Sequence, residues 1–189
     1  RPGTVGRPIA GSQVKILDED GREVAPGQIG SVYLATHTGD RFEYWGDAAK
    51  TAACRRGEFV TVGDRGYVDE AGYLFLVGRD SELIISSGMN IYPAEIEHAL
   101  LAHPAITDCA VVGAPNALYG EVPEAHVQLA PGVAAGARLT DELLRFLAER
   151  LAPMKLPRRI EYDAALPRDP NGKLLKRRLR SEEGARHGR

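Results

Sequence analysis

The chain has 189 residues, 43% hydrophobic and 26% charged, enough for one domain or two small ones with a real core. Its net charge of −2 argues against the basic surface that nucleic-acid binding favours, and no apolar run approaches the roughly 20 residues of a membrane helix. Two cysteines, Cys54 and Cys109, give no disulfide framework, and Arg1-Pro2-Gly3-Thr4 is not a signal peptide, so a reducing, cytoplasmic setting is expected.

The first 77 residues read as β-rich. Ser12–Leu17 alternates weakly and Asp18-Glu19-Asp20-Gly21 supplies turn chemistry. Gly30–Ala35 is a second strand, after a turn at Ala25-Pro26-Gly27. Ala48–Arg55 reads as a short helix, and Glu58–Val62 and Gly66–Val68 as short strands. Asp69-Glu70-Ala71-Gly72 then turns the chain into Tyr73–Val77, a hairpin. A boundary falls near Arg79–Glu82. Pro93 suits the first position of a helix, where a missing N–H costs nothing. Ile96, Ala99, Leu100 and His103 follow at helical spacing until Pro104. Glu95 and Glu97 suit its first turn, where the helix dipole favours carboxylates. Asp108–Gly113 and Ala125–Leu129 are strand candidates, and Cys109 reads as a buried thiol. Pro131–Arg138 is a small-residue loop. Thr140 can cap a helix with Asp141 and Glu142 in its first turn and an apolar stripe of Leu143, Leu147 and Leu151, widened by Leu144 and Phe146. Arg159–Tyr162 is a last short strand.

The expected fold class is therefore α+β. Residues 1–80 form a β-rich subdomain that cannot easily close a core alone, 81–180 a compact α+β domain of ordinary size, and 181–189 a polar tail expected to be disordered.

Lys173 follows Asn171-Gly172, and glycine lets a chain turn tightly and approach a ligand closely. Its ammonium is a point charge suited to phosphate and carboxylate oxygens, although a surface turn lysine looks the same locally. Gly172-Lys173 is no Walker loop, because Leu174 follows and Pro167 stands where the first glycine would be. Asp64, in Thr61-Val62-Gly63-Asp64, offers a carboxylate to two ribose hydroxyls and equally suits a turn between strands. Arg79 presents a fork of donors for ribose oxygens or a neighbouring carboxylate; a surface salt bridge is the plain alternative. Ser86-Ser87-Gly88 after the apolar Leu83–Ile85 reads either as a strand-end turn or as a loop facing a ligand. Lys173, Lys176, Arg177, Arg178 and Arg180 form a basic cluster, read as a solvated helix face with the phosphates of a ligand as the alternative partner. The histidines His37, His98, His103, His126 and His187 lack zinc spacing, and no metal site is expected.

Two segments in order, Gly78-Arg79-Asp80-Ser81-Glu82-Leu83-Ile84-Ile85-Ser86-Ser87-Gly88-Met89-Asn90-Ile91-Tyr92-Pro93-Ala94-Glu95-Ile96-Glu97 and Leu166-Pro167-Arg168-Asp169-Pro170-Asn171-Gly172-Lys173, resemble the C-terminal part of the adenylate-forming enzymes. These are the acyl-CoA synthetases, luciferase and peptide-synthetase adenylation domains. The resemblance spans about Gly6 to Arg180. It implies an AMP-forming carboxylic acid–CoA ligase acting on a fatty or aromatic acid, with this chain as its rear portion and the fragment alone inactive. It implies that Lys173 catalyses adenylation and that Asp64 and Arg79 hold the ribose. Asn90 would approach the nucleotide phosphate, and Ser87 and Gly88 would line the path of the pantetheine arm of CoA. Asp80 and Ser81 would form the hinge, where Ser81 departs from the usual Asp or Lys. Val62 departs from the Thr of the Thr-Gly-Asp segment. ATP, coenzyme A and Mg2+ are the implied cofactors, the metal held mainly by a phosphate-loop region upstream of Arg1. The implied partners are a small carboxylic acid, ATP, CoA and the rest of its own N-terminal domain, with neither nucleic acid nor a transmembrane segment. An acyl-AMP ligase that loads a carrier protein is the alternative enzyme. A non-catalytic nucleotide- or partner-binding domain is the alternative of another class.

Overall fold

The structure, a computed structural model, describes residues 1–35 and 42–180. His37, His187 and the tail 181–189 lie outside the described residues. The chain divides into two units, Arg1–Ser81 and Glu82–Arg189, and the architecture is α+β.

The first unit is one antiparallel sheet. Its strands are β1 (Gln13–Leu17), β2 (Gly30–Ala35), β3 (Arg55–Arg56), β4 (Phe59–Val60), β5 (Asp64–Val68) and β6 (Leu74–Arg79), ordered β3-β4-β2-β5-β6 with β1 also on β2. The alternation of β1 buries Ile16 against Val32 of β2 and Leu74 of β6, the core of this unit. Helix α1 (Ala48–Ala53) starts at Asp47, whose side chain accepts from the Lys50 N–H. The β5–β6 hairpin turns on Asp69, whose carboxylate takes the N–H groups of Ala71 and Tyr73, both at 2.9 Å. A bulge between Arg65 and Gly66 then sets Asp64 opposite Arg79.

The second unit opens with the hairpin β7 (Ile84–Ser86) and β8 (Met89–Ile91), followed by α2 (Pro93–Leu101). Pro93 begins α2 as expected, but the helix ends at Leu101. His103 is instead buried past the helix end, against Phe146. β9 (Ile106–Asn116) and β10 (Gly120–Leu129) form one long hairpin, α3 (Ala137–Ala148) follows, and β11 (Arg159–Tyr162) pairs parallel with β10. Thr140 does not cap α3, which begins three residues earlier. Its hydroxyl instead lies 2.8 Å from the Tyr162 hydroxyl, tying α3 to β11.

Both faces of the β9–β10 hairpin are buried, which is why Cys109–Val112 is continuously apolar rather than alternating. One face packs Val111 and Val127 against Ile96 and Leu100 of α2 and Leu143 and Leu147 of α3. The other packs Ala110 and Val112 against Leu166, Leu174 and Leu179. The segment carrying Lys173 is therefore pinned to the sheet by apolar anchors on both sides of that lysine. Among the described residues no helix is long and apolar enough to cross a membrane.

Candidate active site

The candidate residues fall into a set on the β5–β6 strands of the first unit and a loop-and-turn set in the second. In the first, Arg79 Nε donates to Asp64 Oδ1 at 3.0 Å, both side chains partly exposed. Each orients the other while leaving the second carboxylate oxygen and the remaining guanidinium N–H groups for a vicinal diol. Gly66 carries this geometry. A Cβ there would stand 2.3 Å from the Phe75 carbonyl oxygen, so only glycine lets the strands approach at the bulge.

Asp80 is tied into the same unit: its N–H donates to the Gly63 carbonyl at 2.9 Å, and Arg65 Nε lies 3.6 Å from its carboxylate. Burial raises the Asp80 pKa above its ordinary value, with Arg65 opposing the shift and Asp64 adding to it. Asp80–Glu82 is a 3-10 turn, and the boundary between the units follows Ser81.

In the second unit, Ser87 and Gly88 form the tip of the β7–β8 hairpin with φ of 48° and 77°. Two successive positive values are what a tight two-residue hairpin needs, and glycine adopts them without strain. Nothing lies within 4 Å of a Cβ built at Gly88, so its backbone conformation, not crowding within the unit, is what asks for glycine. The Ser87 N–H donates to the Tyr119 carbonyl at 2.8 Å, fixing the tip to the β9–β10 turn. Asn90 is exposed on β8. Beside the tip opens a cleft of about 120 Å³ walled by Ser86, Ser87, Met89, Tyr119, Val122 and Arg158, with the guanidinium 5.5 Å from the Tyr119 ring centre.

Lys173 sits on a turn organised by Asp169. The Asp169 carboxylate accepts from the N–H groups of Asn171 and Lys173, each at 2.9 Å, and its N–H donates to the Lys173 carbonyl. Gly172, with φ 84°, closes the turn, and Arg168 ties it to Asp108 of β9 and to the Gly172 carbonyl. The backbone of Lys173 is thus fixed at both its N–H and its carbonyl. Its side chain is exposed, and among the described residues its ammonium has no hydrogen bond or ion pair. A rigidly mounted, uncommitted cation is suited to charge developing on an incoming group.

Residues 95–173 match the AMP-binding enzyme C-terminal domain. The resemblance to adenylate-forming enzymes read from its two segments is borne out. The chain is 44% identical over 175 residues to the fatty acid–[acyl-carrier-protein] ligase ScoC of Streptomyces coeruleorubidus, covering 93% of this chain and 33% of that protein. It is 39% identical over 189 residues to the mitochondrial acyl-coenzyme A synthetase ACSM3 of Mus musculus, covering 97% and 33%. The ATP-bound RpMatB–BxBclM chimera B1 superposes with a TM-score of 0.90 at 36% identity, over 96% of this chain and 36% of that one. The chain thus spans about a third of the length of the curated relatives it matches.

Sequence reasoning missed the support of the site. Asp169-Pro170-Asn171-Gly172 is itself a turn signature, which could have been read as the mount of Lys173. The basic cluster is not a uniformly solvated face. Lys176 is largely buried, 2.7 Å from Glu82 Oε2 and 2.8 Å from Glu97 Oε1. Glu97 is likewise no mere dipole partner, since its Oε1 also accepts from the Val111 N–H at 2.7 Å. Glu95 binds Lys155 at 2.7 Å. Among the described residues no three His, Cys, Asp or Glu side chains converge as metal ligands.

Proposed function

We propose that this chain is the C-terminal part of an ATP-dependent, AMP-forming acid–thiol ligase, and that coenzyme A is its acceptor. The observation that carries the reading is the Lys173 ammonium, uncommitted among the described residues, on its Asp169-braced turn. In the first half-reaction a carboxylate oxygen of a fatty or aromatic acid attacks the α-phosphorus of ATP, and the bond to pyrophosphate breaks. Negative charge builds between acid and phosphate, and Lys173 favours that transition state. Asp64 and Arg79 hold the ribose hydroxyls, and Asn90 approaches the phosphate. In the second half-reaction the CoA sulfur attacks the acyl carbon and AMP leaves. Ser87 and Gly88 then line the approach of the pantetheine arm, while rotation about Asp80 and Ser81 withdraws Lys173. Such a movement lets one pocket serve two reactions with different groups.

Mg2+ and the acid belong in this reading to the N-terminal body, which is the chain's first partner. Two free, buried cysteines accord with a reducing, cytoplasmic setting. The 44% identity to an acyl-carrier-protein ligase favours, as a second reading, a carrier-bound thiol as acceptor. The test is pyrophosphate release by the enzyme with its full N-terminal body over a panel of fatty and aromatic acids, with and without CoA. CoA-stimulated release with acyl-CoA formed is expected. Accumulating acyl-AMP that ignores CoA moves the assignment to the carrier, and no release with any acid returns it to a non-catalytic binding domain. Lys173→Ala is expected to slow adenylation by orders of magnitude while sparing thiol transfer to preformed acyl-AMP. Equal loss of both half-reactions removes the role given to Lys173.

A further inference from the structure

Lys176 stands three residues after Lys173, in the helical turn 176–180, and the two lysines have opposite environments. The Lys176 side chain is 14% exposed and bridges Glu82 Oε2 at 2.7 Å and Glu97 Oε1 at 2.8 Å. Glu82 is the first residue of the second unit, directly after the proposed hinge. Glu97 belongs to α2 and is itself held by the Val111 N–H of β9 at 2.7 Å. One turn on from Lys176, on the same helix face, a terminal nitrogen of Arg180 lies 3.5 Å from the Glu82 carbonyl. The turn that follows Lys173 is thus fastened to the start of the domain, to a helix and to an edge strand through one ammonium. Asp80, before Ser81, is anchored separately by Gly63 and Arg65.

We propose that Lys176 is a positioning residue for adenylation. Its clamp on Glu82 and Glu97 makes the Lys173 turn move as one body with the residue that follows the hinge, so that domain rotation delivers the Lys173 ammonium to a fixed place. This rests on the catalytic role proposed for Lys173. Lys176 has no free charge to offer a phosphate, because two carboxylates already claim it. Its effect reaches the substrate only through Lys173. A reacting group displaced by about 1 Å can lose on the order of a hundredfold in rate. The β7–β8 hairpin is held by other bonds, of Ser87 to Tyr119 and of Ile85 to Glu121, so thiol transfer does not depend on the clamp.

The test uses the enzyme with its full N-terminal body and the panel acid that gives the fastest pyrophosphate release. Lys176→Met is expected to lower the adenylation kcat by about ten- to a hundredfold without changing the KM for ATP, and to leave thiol transfer from preformed acyl-AMP intact. In a Lys173→Ala background it should cost nothing more, because its effect passes through Lys173. Lys176→Arg, whose fork can also bridge two carboxylates, should restore most of the rate. Glu82→Gln keeps the shape but weakens the clamp; it serves where Lys176→Met does not fold, and should give a several-fold loss with the same non-additivity. Equal loss in both half-reactions, a multiplicative loss in the double variant, or an unchanged kcat overturns the proposal while leaving Lys173 its role. If Lys173→Ala itself leaves adenylation intact, the role of Lys173 falls first and the clamp loses its purpose with it.

Discussion

Glu95 and Glu97 look equivalent in the sequence, two carboxylates at the start of one helix, and their replacement separates a dipole effect from a buried bond. A dipole role predicts that each contributes about 0.3–1 kcal/mol. The structure predicts a strong asymmetry. Glu95 pairs with Lys155 at the surface, with the Glu95 side chain exposed and that of Lys155 half-buried, so Glu95→Ala should cost at most about 1 kcal/mol. Glu97 is 17% exposed and its Oε1 holds two donors. Its removal strands the N–H of fully buried Val111, a loss of about 1–3 kcal/mol. It also takes one of two carboxylates from Lys176. Breaking a fully buried pair costs about 3–5 kcal/mol, and the remaining Glu82 and partial exposure bring this below that range. Together, Glu97→Ala should cost about 2–4 kcal/mol, and Glu97→Gln, which keeps an acceptor, clearly less. Urea denaturation read by circular dichroism gives the two losses. Amide hydrogen exchange gives the local signature, faster exchange at Val111 in Glu97→Ala but not in Glu95→Ala. Equal destabilisation by the two alanine variants, with Val111 exchange unchanged, would refute the buried-bond reasoning.

Burial, with Glu97 and Asp108 adding to it and Lys176 opposing, pushes the Cys109 thiol up from 9.0 to about 12. A raised folded pKa means that the folded chain keeps its proton while the unfolded chain loses it, so stability should fall between about pH 9 and pH 12. Cys109→Ala should flatten that slope in denaturant midpoints, and native Cys109 should resist alkylation at pH 8 until the chain is unfolded. Gly66→Ala should destabilise the first unit by about 1–3 kcal/mol, because its Cβ meets the Phe75 carbonyl, and should raise the KM for ATP by displacing Asp64 from Arg79. Arg79→Lys keeps the charge but loses the planar fork; a raised KM for ATP in the full enzyme is expected, and an unchanged KM removes Arg79 from the ribose site.

Local chemistry made much of this fold readable. Gly30–Ala35 was legible as a strand to the residue, and Pro93 marked the start of α2, because both signals act within a few positions. The β9–β10 hairpin looks like two short strands in the sequence because Gly113, Pro115, Gly120 and Pro123 interrupt its pattern. Pro123 is tolerated where the second neighbour of β10 changes from β7, paired at Gly120, to β11, paired from Glu124. The helix α3 starts at Ala137, ahead of the Thr140 signal, and the Thr140 hydroxyl meets Tyr162, twenty-two positions on, a contact that no local pattern shows. Of the candidate site, Asp64 and Arg79 were legible only as separate residues, and the bulge that joins them depends on a cross-strand contact at Gly66.

The C-terminal basic run carries the same lesson into function. Lys173 and Lys176 are the same residue type three positions apart, and propensity or charge counting treats them alike. Their availability is decided elsewhere. The partners of Lys176 stand 94 positions away at Glu82 and 79 away at Glu97, so no local pattern announces that its charge is already neutralised. Lys173 faces the other way because Asp169, four positions before it, claims its backbone and leaves its side chain out. Apolar anchors at Leu166, Leu174 and Leu179 hold this whole segment on the sheet, so Lys173 is mounted on a packed surface rather than on a loose tail. A charge that must meet a transition state has to be both unpaired and immobile at its base, since reorganisation at the moment of reaction forfeits the gain. Among the five residues of the basic run, Lys173 is the one whose backbone the Asp169 turn fixes, and its ammonium is uncommitted among the described residues. The division of labour, one lysine for substrate and one for the frame, is a property of tertiary structure that the run of charges conceals.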